Sequence, residues 1–572
     1  MDSQLQRIFR NSSSEKHFAP NTFSIIPEGK TELKITAGQN ANWTYANFFI
    51  QNDTNEITDY KVNDGQYVII KDNNTWKLFN FKKEVIAQGY DEIENFVNKV
   101  AKAEEIRNKV LGPKKQENQM EINVSDDNYI LALKTKPFLL LAGISGTGKS
   151  RIVREFAFKS CPKYLQDKDG TTPGNYCMVE VKPNWHDSTE LLGYYSNLSK
   201  SYQFKKFVKF LVKAKMYPKV PFFVCLDEMN LAPVEQYFAE ILSILETRKH
   251  PKNIETGEVD MSTVTTEVII DASYFRELSI MPNFRNNQTG ETATMGLTDR
   301  DIYLKLFEIN TKEAIEKELI SEEVGNRYDL TTEGLTLPDN VVIIGTVNMD
   351  DTTHQFSRKV IDRAMTIEMN GGNLRNMFGG SKNLEYLPEE KQKEWQEAFS
   401  RRYVSADEVL DAHIDVAKEL VEKLPTRLEE INKALKGTPF EVSYRVLNEL
   451  TIMVGVMLDD NKEGKELDDI INQAINNILL MKILPRIEGD AEMFALSKEY
   501  KAKMEVAYND RLEWLKDLAP NIQIEQKEGD LEDDDNAEKD EKEIKECQIT
   551  AKEKIQEMID RLNNQEFTRF WP

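Results

Sequence analysis

The sequence predicts an α/β protein built on a parallel sheet, with a small α+β region before it and a helical region after it. Three observations carry that prediction. Phe138-Leu-Leu-Leu-Ala142, Phe222-Phe-Val-Cys-Leu226 and Val341-Val-Ile-Ile-Gly-Thr-Val347 are short apolar runs of the kind that sit buried on both faces. The first run opens onto a glycine-rich turn and then a helix-like stretch, Arg151-Ile-Val-Arg-Glu-Phe-Ala157. Each of the other two ends in polar side chains, Asp227-Glu228 and Asn348. In open parallel sheets the carboxyl edge is where ligands bind, so these residues should converge there.

The turn itself, Gly143-Ile-Ser145-Gly146-Thr147-Gly148-Lys149-Ser150, fits the pattern G-x-x-x-x-G-K-[ST]. A strand that feeds such a turn into a helix aims several backbone N–H groups and the positive helix end at one point, which suits a phosphate chain. Lys149 is then expected at the β and γ phosphates, and the Ser150 hydroxyl on Mg²⁺. Asp227 is expected to hold the magnesium, and Glu228 to orient and activate the attacking water. Asn348 is placed to hydrogen-bond that water or the γ-phosphate.

Around these residues lie longer motifs. Met229-Asn-Leu-Ala-Pro-Val-Glu235 continues from the acidic pair, and Val181-Lys-Pro-Asn-Trp185-His-Asp187 lies upstream. After the third strand comes Asn348-Met-Asp-Asp351, leading to His354, Arg358 and Arg363. Together they resemble the McrB-like branch of the AAA+ NTPases, the motor subunits of modification-dependent restriction systems. The resemblance covers roughly residues 125–500 and a short C-terminal end. It implies an AAA+ sheet with a helical lid, a ring (usually a hexamer), ATP or GTP with Mg²⁺, and an arginine lent to the neighbour's γ-phosphate. Arg363 matches that arginine best and Arg358 second. Ser443-Tyr-Arg445 resembles the start of the lid helix that carries a second arginine, which would contact nucleotide in its own subunit. Met481-Lys-Ile-Leu-Pro-Arg486 resembles the end of the lid. The resemblance further implies a separate McrC-like nuclease subunit and DNA, met directly or through that partner. A MoxR-type remodelling ATPase fits the same core motifs, and a nucleotide-gated binding module is the third class. Base choice stays open: McrB-like proteins include GTP users, whereas ATP is the superfamily's usual substrate.

Length and composition are compatible. The chain has 572 residues, enough for three or four domains, with 40% hydrophobic residues to form cores. A formal charge of −23 argues against a surface that coats nucleic acid throughout. Cys161, Cys177, Cys225 and Cys547 have no paired spacing, which fits neither a zinc site nor a disulfide frame and suggests a cytoplasmic protein. No signal-peptide core and no membrane-length apolar run is expected.

The domains read as follows: residues 1–110 an α+β module for target recognition, 111–124 a linker, and 125–370 the nucleotide-binding core with an insertion near 250–336. The helical lid occupies 371–500, and 501–572 hold an acidic segment and a C-terminal helix. In the first module, strands are expected around Phe48–Ile50, Tyr67–Ile70 and Trp76–Phe81. Trp43, Tyr45 and Trp76 either stack on a flipped base or pack a small β core, and the core is favoured because small sheets need large side chains. In the insertion, Thr265–Asp271 reads as a strand and Asp299–Glu323 as a helix. From Glu525 to Glu546, twelve acidic residues outnumber four basic ones, a composition that resists packing. After it, Ile555, Met558, Ile559 and Leu562 recur at helical spacing and should dock back onto the body.

Overall fold

The computed structural model describes residues 47–51, 66–72, 75–80, 82, 84–96, 124–167, 170–252, 259–261, 263–278, 297–309, 326–349, 357–369, 384–462, 464–522 and 549–571. The chain divides into two compact units, residues 1–121 with 373–382, and residues 122–372 with 383–572.

In the first unit, strands β1 (Asn47–Gln51), β2 (Gln66–Asp72), β3 (Thr75–Phe79) and β4 (Val85–Gln88) form a sheet in that order. β1 runs parallel to β2, and the other pairings are antiparallel. Asp72 faces Thr75 across the β2–β3 turn, leaving a two-residue connection. Trp76 is 3% exposed, buried like Ile69, Leu78 and Phe79, so it serves as core and not as a stacking platform. The strand β4 was not expected. Trp43, Tyr45 and the 111–123 part of the linker lie outside the described residues.

Among the described residues, the second unit holds a sheet of five parallel strands: β5 (Phe138–Gly143), β6 (Tyr176–Glu180), β9 (Phe222–Asp227), β12 (Val341–Asn348) and β13 (Met365–Glu368). Their order across the sheet is β13-β5-β12-β9-β6. β12 therefore separates the glycine-turn strand from the strand bearing Asp227. Register aligns Asn348 with Gly143 and Gly345 with Leu226, so the polar strand ends meet at one edge.

Strand period decides which side chain goes where. Leu139, Leu141, Phe223, Cys225, Val342 and Ile344 enter one hydrophobic cluster. Phe138, Leu140, Val224, Leu226, Val341 and Ile343 enter another on the opposite face. The first face is covered by helices Val124–Thr135 and Lys149–Ser160 and by the C-terminal helical region. The second is covered by Lys206–Met216 and by the described part of the insertion.

Within that insertion, the expected strand is shorter, β10 (Val268–Ile270), and pairs antiparallel with β11 (Leu335–Thr336). Helix Asp299–Leu306 starts at a capping box between Thr298 and Asp301. Ile270, Phe275, Ile302 and Leu304 are buried in the second cluster, so this portion packs as core. Between β6 and β9, β7 (Gly193–Ser196) and β8 (Ser201–Phe204) form a hairpin.

The helical region comprises Glu389–Ala398, Ile414–Leu435, Tyr444–Asp459 and Leu467–Ile478, followed by a π-turn at Leu479–Ile483. Helices Arg511–Leu518 and Ala551–Gln565 share its hydrophobic cluster, so the packed body continues past residue 500. Ile555 and Met558 are fully buried, and β15 (Phe567–Arg569) pairs with β14 (Glu488–Asp490), which docks the terminal segment. The acidic run 525–546 lies outside the described residues. Among those described, no helix is long and apolar enough to cross a membrane.

Candidate active site

The glycine turn is shaped by backbone conformations that side chains rarely adopt. Gly146 and Gly148 sit at φ of 82° and 85°. Gly143 has φ of 155°, and a Cβ there would lie 2.2 Å from the Met369 carbonyl oxygen. Gly148 hands the chain directly to the helix that begins at Lys149. A turn of this kind with a helix start behind it is suited to aim N–H groups at a common centre. Lys149 is 5% exposed, and its Nζ donates to the carbonyls of Gly143 (3.1 Å) and Ile144 (2.6 Å). It is thus folded over the turn it belongs to. Thr147 Oγ1 donates to the Ile144 carbonyl at 3.1 Å, bracing the turn from inside.

Next to the turn, Ser150 Oγ donates to Asp227 Oδ1 at 2.5 Å. The same carboxylate oxygen accepts from Thr346 Oγ1 at 2.8 Å. Thr346 Oγ1 in turn accepts the Glu228 N–H at 3.0 Å. Thr346 was missed by the sequence reading. Its signal was a lone hydroxyl inside the run Val341–Val347, on the strand between the two site-bearing strands. It is 2% exposed and links the magnesium-type carboxylate to the backbone of the next residue.

Glu228 adopts a left-handed conformation, φ 52° and ψ 51°, rare for a residue with a side chain. That bend takes its carboxylate out of the strand direction, and Asn348 Nδ2 donates to Glu228 Oε1 at 3.3 Å. Asn230 Nδ2 donates to the Asn348 carbonyl at 3.2 Å, tying the two strand ends together. Gly143, Ser145, Gly146, Thr147, Gly148, Lys149, Ser150, Asp227, Glu228 and Asn348 therefore lie together at the carboxyl edge. The oxygens of Ser150 and Asp227 are hard ligands, side by side, and suit Mg²⁺. Among the described residues no cluster of three or more His, Cys, Asp or Glu could hold another metal.

The arginines lie elsewhere. Arg363 precedes β13 by two residues, and Met365 is level with Leu139, so Arg363 falls near Pro137 at the amino edge. The length of β5, about 16 Å at strand spacing, separates it from its own glycine turn. Among the described residues no ion pair or side-chain hydrogen bond holds it. Arg358 lies over the Phe440 ring at 5.0 Å and pairs with Glu488 at 3.6 Å.

Arg445 corrects an expectation. Its Nε pairs with Glu246 Oε2 at 2.9 Å, and Glu246 Oε1 pairs with Lys136 at 3.0 Å. Lys136 immediately precedes Pro137 and β5, so Arg445 also belongs to the amino edge. It does not reach the phosphate turn of its own chain.

A charge network missed by the sequence reading runs along that edge. Glu449 bonds Lys136 at 2.6 Å and Lys482 at 2.8 Å. Burial opposes charge on Glu449, yet the two lysines hold its carboxyl below the ordinary range. Burial pushes the Lys482 ammonium down to about 8, against the pull of Glu449. Arg486, 8% exposed, pairs with Asp362 at 3.1 Å; burial lowers its pKa while Asp362 opposes that shift.

The strand–turn–helix, the adjacent acidic pair and the sheet order together have the form of a phosphate-loop nucleotide-binding domain. Residues 395–567 match a family described as a domain of unknown function, DUF8727. No curated protein matches the chain. One similar solved structure is described as a "putative ATPase" from Cytophaga hutchinsonii ATCC 33406, at 14% identity, covering 69% of this chain and 89% of that one. Its TM-score of 0.29 establishes no shared fold.

Proposed function

We propose that this chain is a Mg²⁺-dependent nucleoside triphosphatase of the AAA+ class, acting as the ring-forming motor of a McrBC-like restriction or antiviral system. The observation that carries the enzymatic reading is the bonded set Ser150–Asp227–Thr346–Glu228–Asn348 beside the glycine turn. Ser150 and Asp227 would hold Mg²⁺, which supplies charge neutralisation on the phosphates when bound. Lys149 exchanges its carbonyl partners for the β and γ phosphates, and the turn's N–H groups fix their position. Glu228 accepts the proton of the attacking water, with Asn348 orienting its carboxylate.

The remote place of Arg363 supports action in trans. An arginine on the opposite edge can meet a γ-phosphate only if a second copy presents one, so hydrolysis requires assembly. The substrate is expected to be ATP, with GTP the competing base. A separately encoded McrC-like nuclease would cut the DNA, because no recognisable nuclease motif occurs in this sequence.

The test is hydrolysis of ATP and GTP side by side, for the wild type, Lys149→Ala and Glu228→Gln. Glu228→Gln should bind nucleotide normally, and Lys149→Ala should bind poorly. Removing residues 1–110 should leave turnover largely intact. Wild-type turnover in Glu228→Gln would remove the assigned base. A strong preference for GTP would overturn the expectation of ATP.

A further inference from the structure

Arg363 is flanked on both sides by contacts from the helical region. On its amino side, Asp362 Oδ1 takes the Arg486 guanidinium at 3.1 Å, with Arg445 4.0 Å from Oδ2. On its carboxyl side, the Ala364 carbonyl accepts Lys482 Nζ at 3.0 Å. Lys482 and Arg486 come from one short stretch, the π-turn Leu479–Ile483 and the 3₁₀ turn Leu484–Arg486. A π-turn inside helical structure is uncommon and concentrates at functional places. The Arg363 segment itself has little regular structure: a one-turn helix, Arg358–Ile361, then backbone bonds from Asp362 to Arg358 and from Arg363 to Val360. Such a segment does not fix its own side-chain direction.

We propose that Lys482 and Arg486 form a clamp that sets the position of Arg363, so that the helical region controls the arginine offered to a second copy of the chain. The proposal rests on the reading of Arg363 as a trans-acting arginine. Buried ion clusters contribute little net stability compared with apolar packing of the same volume, and their better-attested use is to specify one geometry. Here the geometry specified is that of the two residues bracketing Arg363. Lys482 is anchored in turn by Glu449, which also grips Lys136 at the start of β5. The clamp is therefore referenced to the strand that carries the glycine turn. Lys482, Arg486 and Asp362 are positioning residues: they act through Arg363.

The test uses the full chain with Arg486→Gln, Asp362→Ala, Arg486→Lys, Arg363→Ala and the double variant Arg363→Ala/Arg486→Gln. Turnover, KM, affinity for a fluorescent ATP analogue and melting temperature are measured for each. Arg486→Gln and Asp362→Ala should lower kcat about tenfold or more while affinity changes less than about twofold, the pattern of a contact made only in the transition state. Arg486→Lys should recover part of the rate. The double variant should be no slower than Arg363→Ala alone, because both remove the same contribution. Asp362 is partly exposed, so its truncation keeps the test open if Arg486→Gln fails to fold. Losses that multiply in the double variant, or affinity falling in step with kcat, would overturn the clamp. Slow Arg363→Ala beside fast Arg486→Gln and Asp362→Ala would overturn the clamp alone. Wild-type turnover in Arg363→Ala would overturn the trans reading, and the clamp with it.

Discussion

The two edges of the central sheet are built by different rules. The carboxyl edge carries the glycine turn, Asp227, Glu228 and Asn348, each continuous with the end of a strand. Their contacts are mostly single hydrogen bonds, such as Ser150 at the helix start to Asp227 and Asn348 to Glu228 on the adjacent strand. The amino edge carries Lys136, Glu246, Asp362, Glu449, Lys482 and Arg486, drawn from distant parts of the chain and joined by ion pairs. The first edge presents groups suited to a ligand. The second spends its charges on one another and leaves Arg363 outside the pairing. Under the proposed function, chemistry falls to one edge and placement to the other.

The sharpest way to break that division is to remove one group from each edge. Arg363→Ala should bind nucleotide normally and lose about 10³-fold in turnover, the scale of arginine fingers in general. Glu228→Gln should lose at least about 100-fold with binding intact. Mixed in one preparation, the two should recover some turnover, since some interfaces then pair an intact Glu228 with an intact Arg363. Turnover per subunit, measured where sedimentation shows assembly, decides it. No recovery despite subunit exchange would place Arg363 in cis, against its position on the sheet.

A smaller effect tests whether the carboxyl edge is one bonded unit. Thr346→Val removes the partner of the Glu228 N–H and one of the two donors to Asp227. An orphaned buried N–H costs about 1–3 kcal/mol, so melting should fall. Turnover should drop about tenfold through the freed Glu228 backbone. Turnover unchanged in a destabilised protein would reduce Thr346 to scaffolding.

The smallest effect concerns pairing itself. Glu449, gripped by two lysines, is held low; Asp299 is buried, accepts one backbone N–H from Leu330, and is pushed up to about 6 by that burial. Its folded value lies above its ordinary one, so the folded state binds more protons between the two. Stability from this group is therefore present at low pH and lost as pH rises through about 6. Asp299→Asn, which keeps an acceptor for Leu330, should stabilise the protein by about 1–2 kcal/mol near neutral pH. The difference should vanish at about pH 3, below the ordinary value of 3.8. Melting curves at the two pH values check this, and a gap independent of pH would remove the carboxylate as its cause.

The same contrast explains what could be read from the sequence. The strands β5, β9 and β12 were legible because runs buried on both faces are apolar throughout. Asp227, Glu228 and Asn348 were legible because they stand at or just past the ends of their strands, and Lys149 and Ser150 because the glycine turn leads from β5 straight to them; strand direction then fixes their edge. The docked C-terminal helix was legible from the spacing of Ile555, Met558, Ile559 and Leu562. Arg445 was misplaced because a motif states what precedes and follows a residue, not which edge its helix packs against. The Lys136–Glu449–Lys482 set was invisible for a related reason. Ion pairs between residues far apart in the chain, 313 positions for Lys136 and Glu449, leave no local pattern, and each member alone reads as a solvated charge. Thr346 fell between: its hydroxyl stood out in an apolar run, but only the strand order gives it Asp227 as a neighbour.

The left-handed backbone at Glu228 has a consequence for any attempt to improve this protein. A residue with a side chain in that conformation costs about 1 kcal/mol, and glycine would relieve it. A library screened for thermal tolerance alone should therefore drift toward Gly or Asn at position 228 and discard the carboxylate proposed to activate water. Hardier variants from such a screen would be inert ones, unless turnover is selected alongside survival.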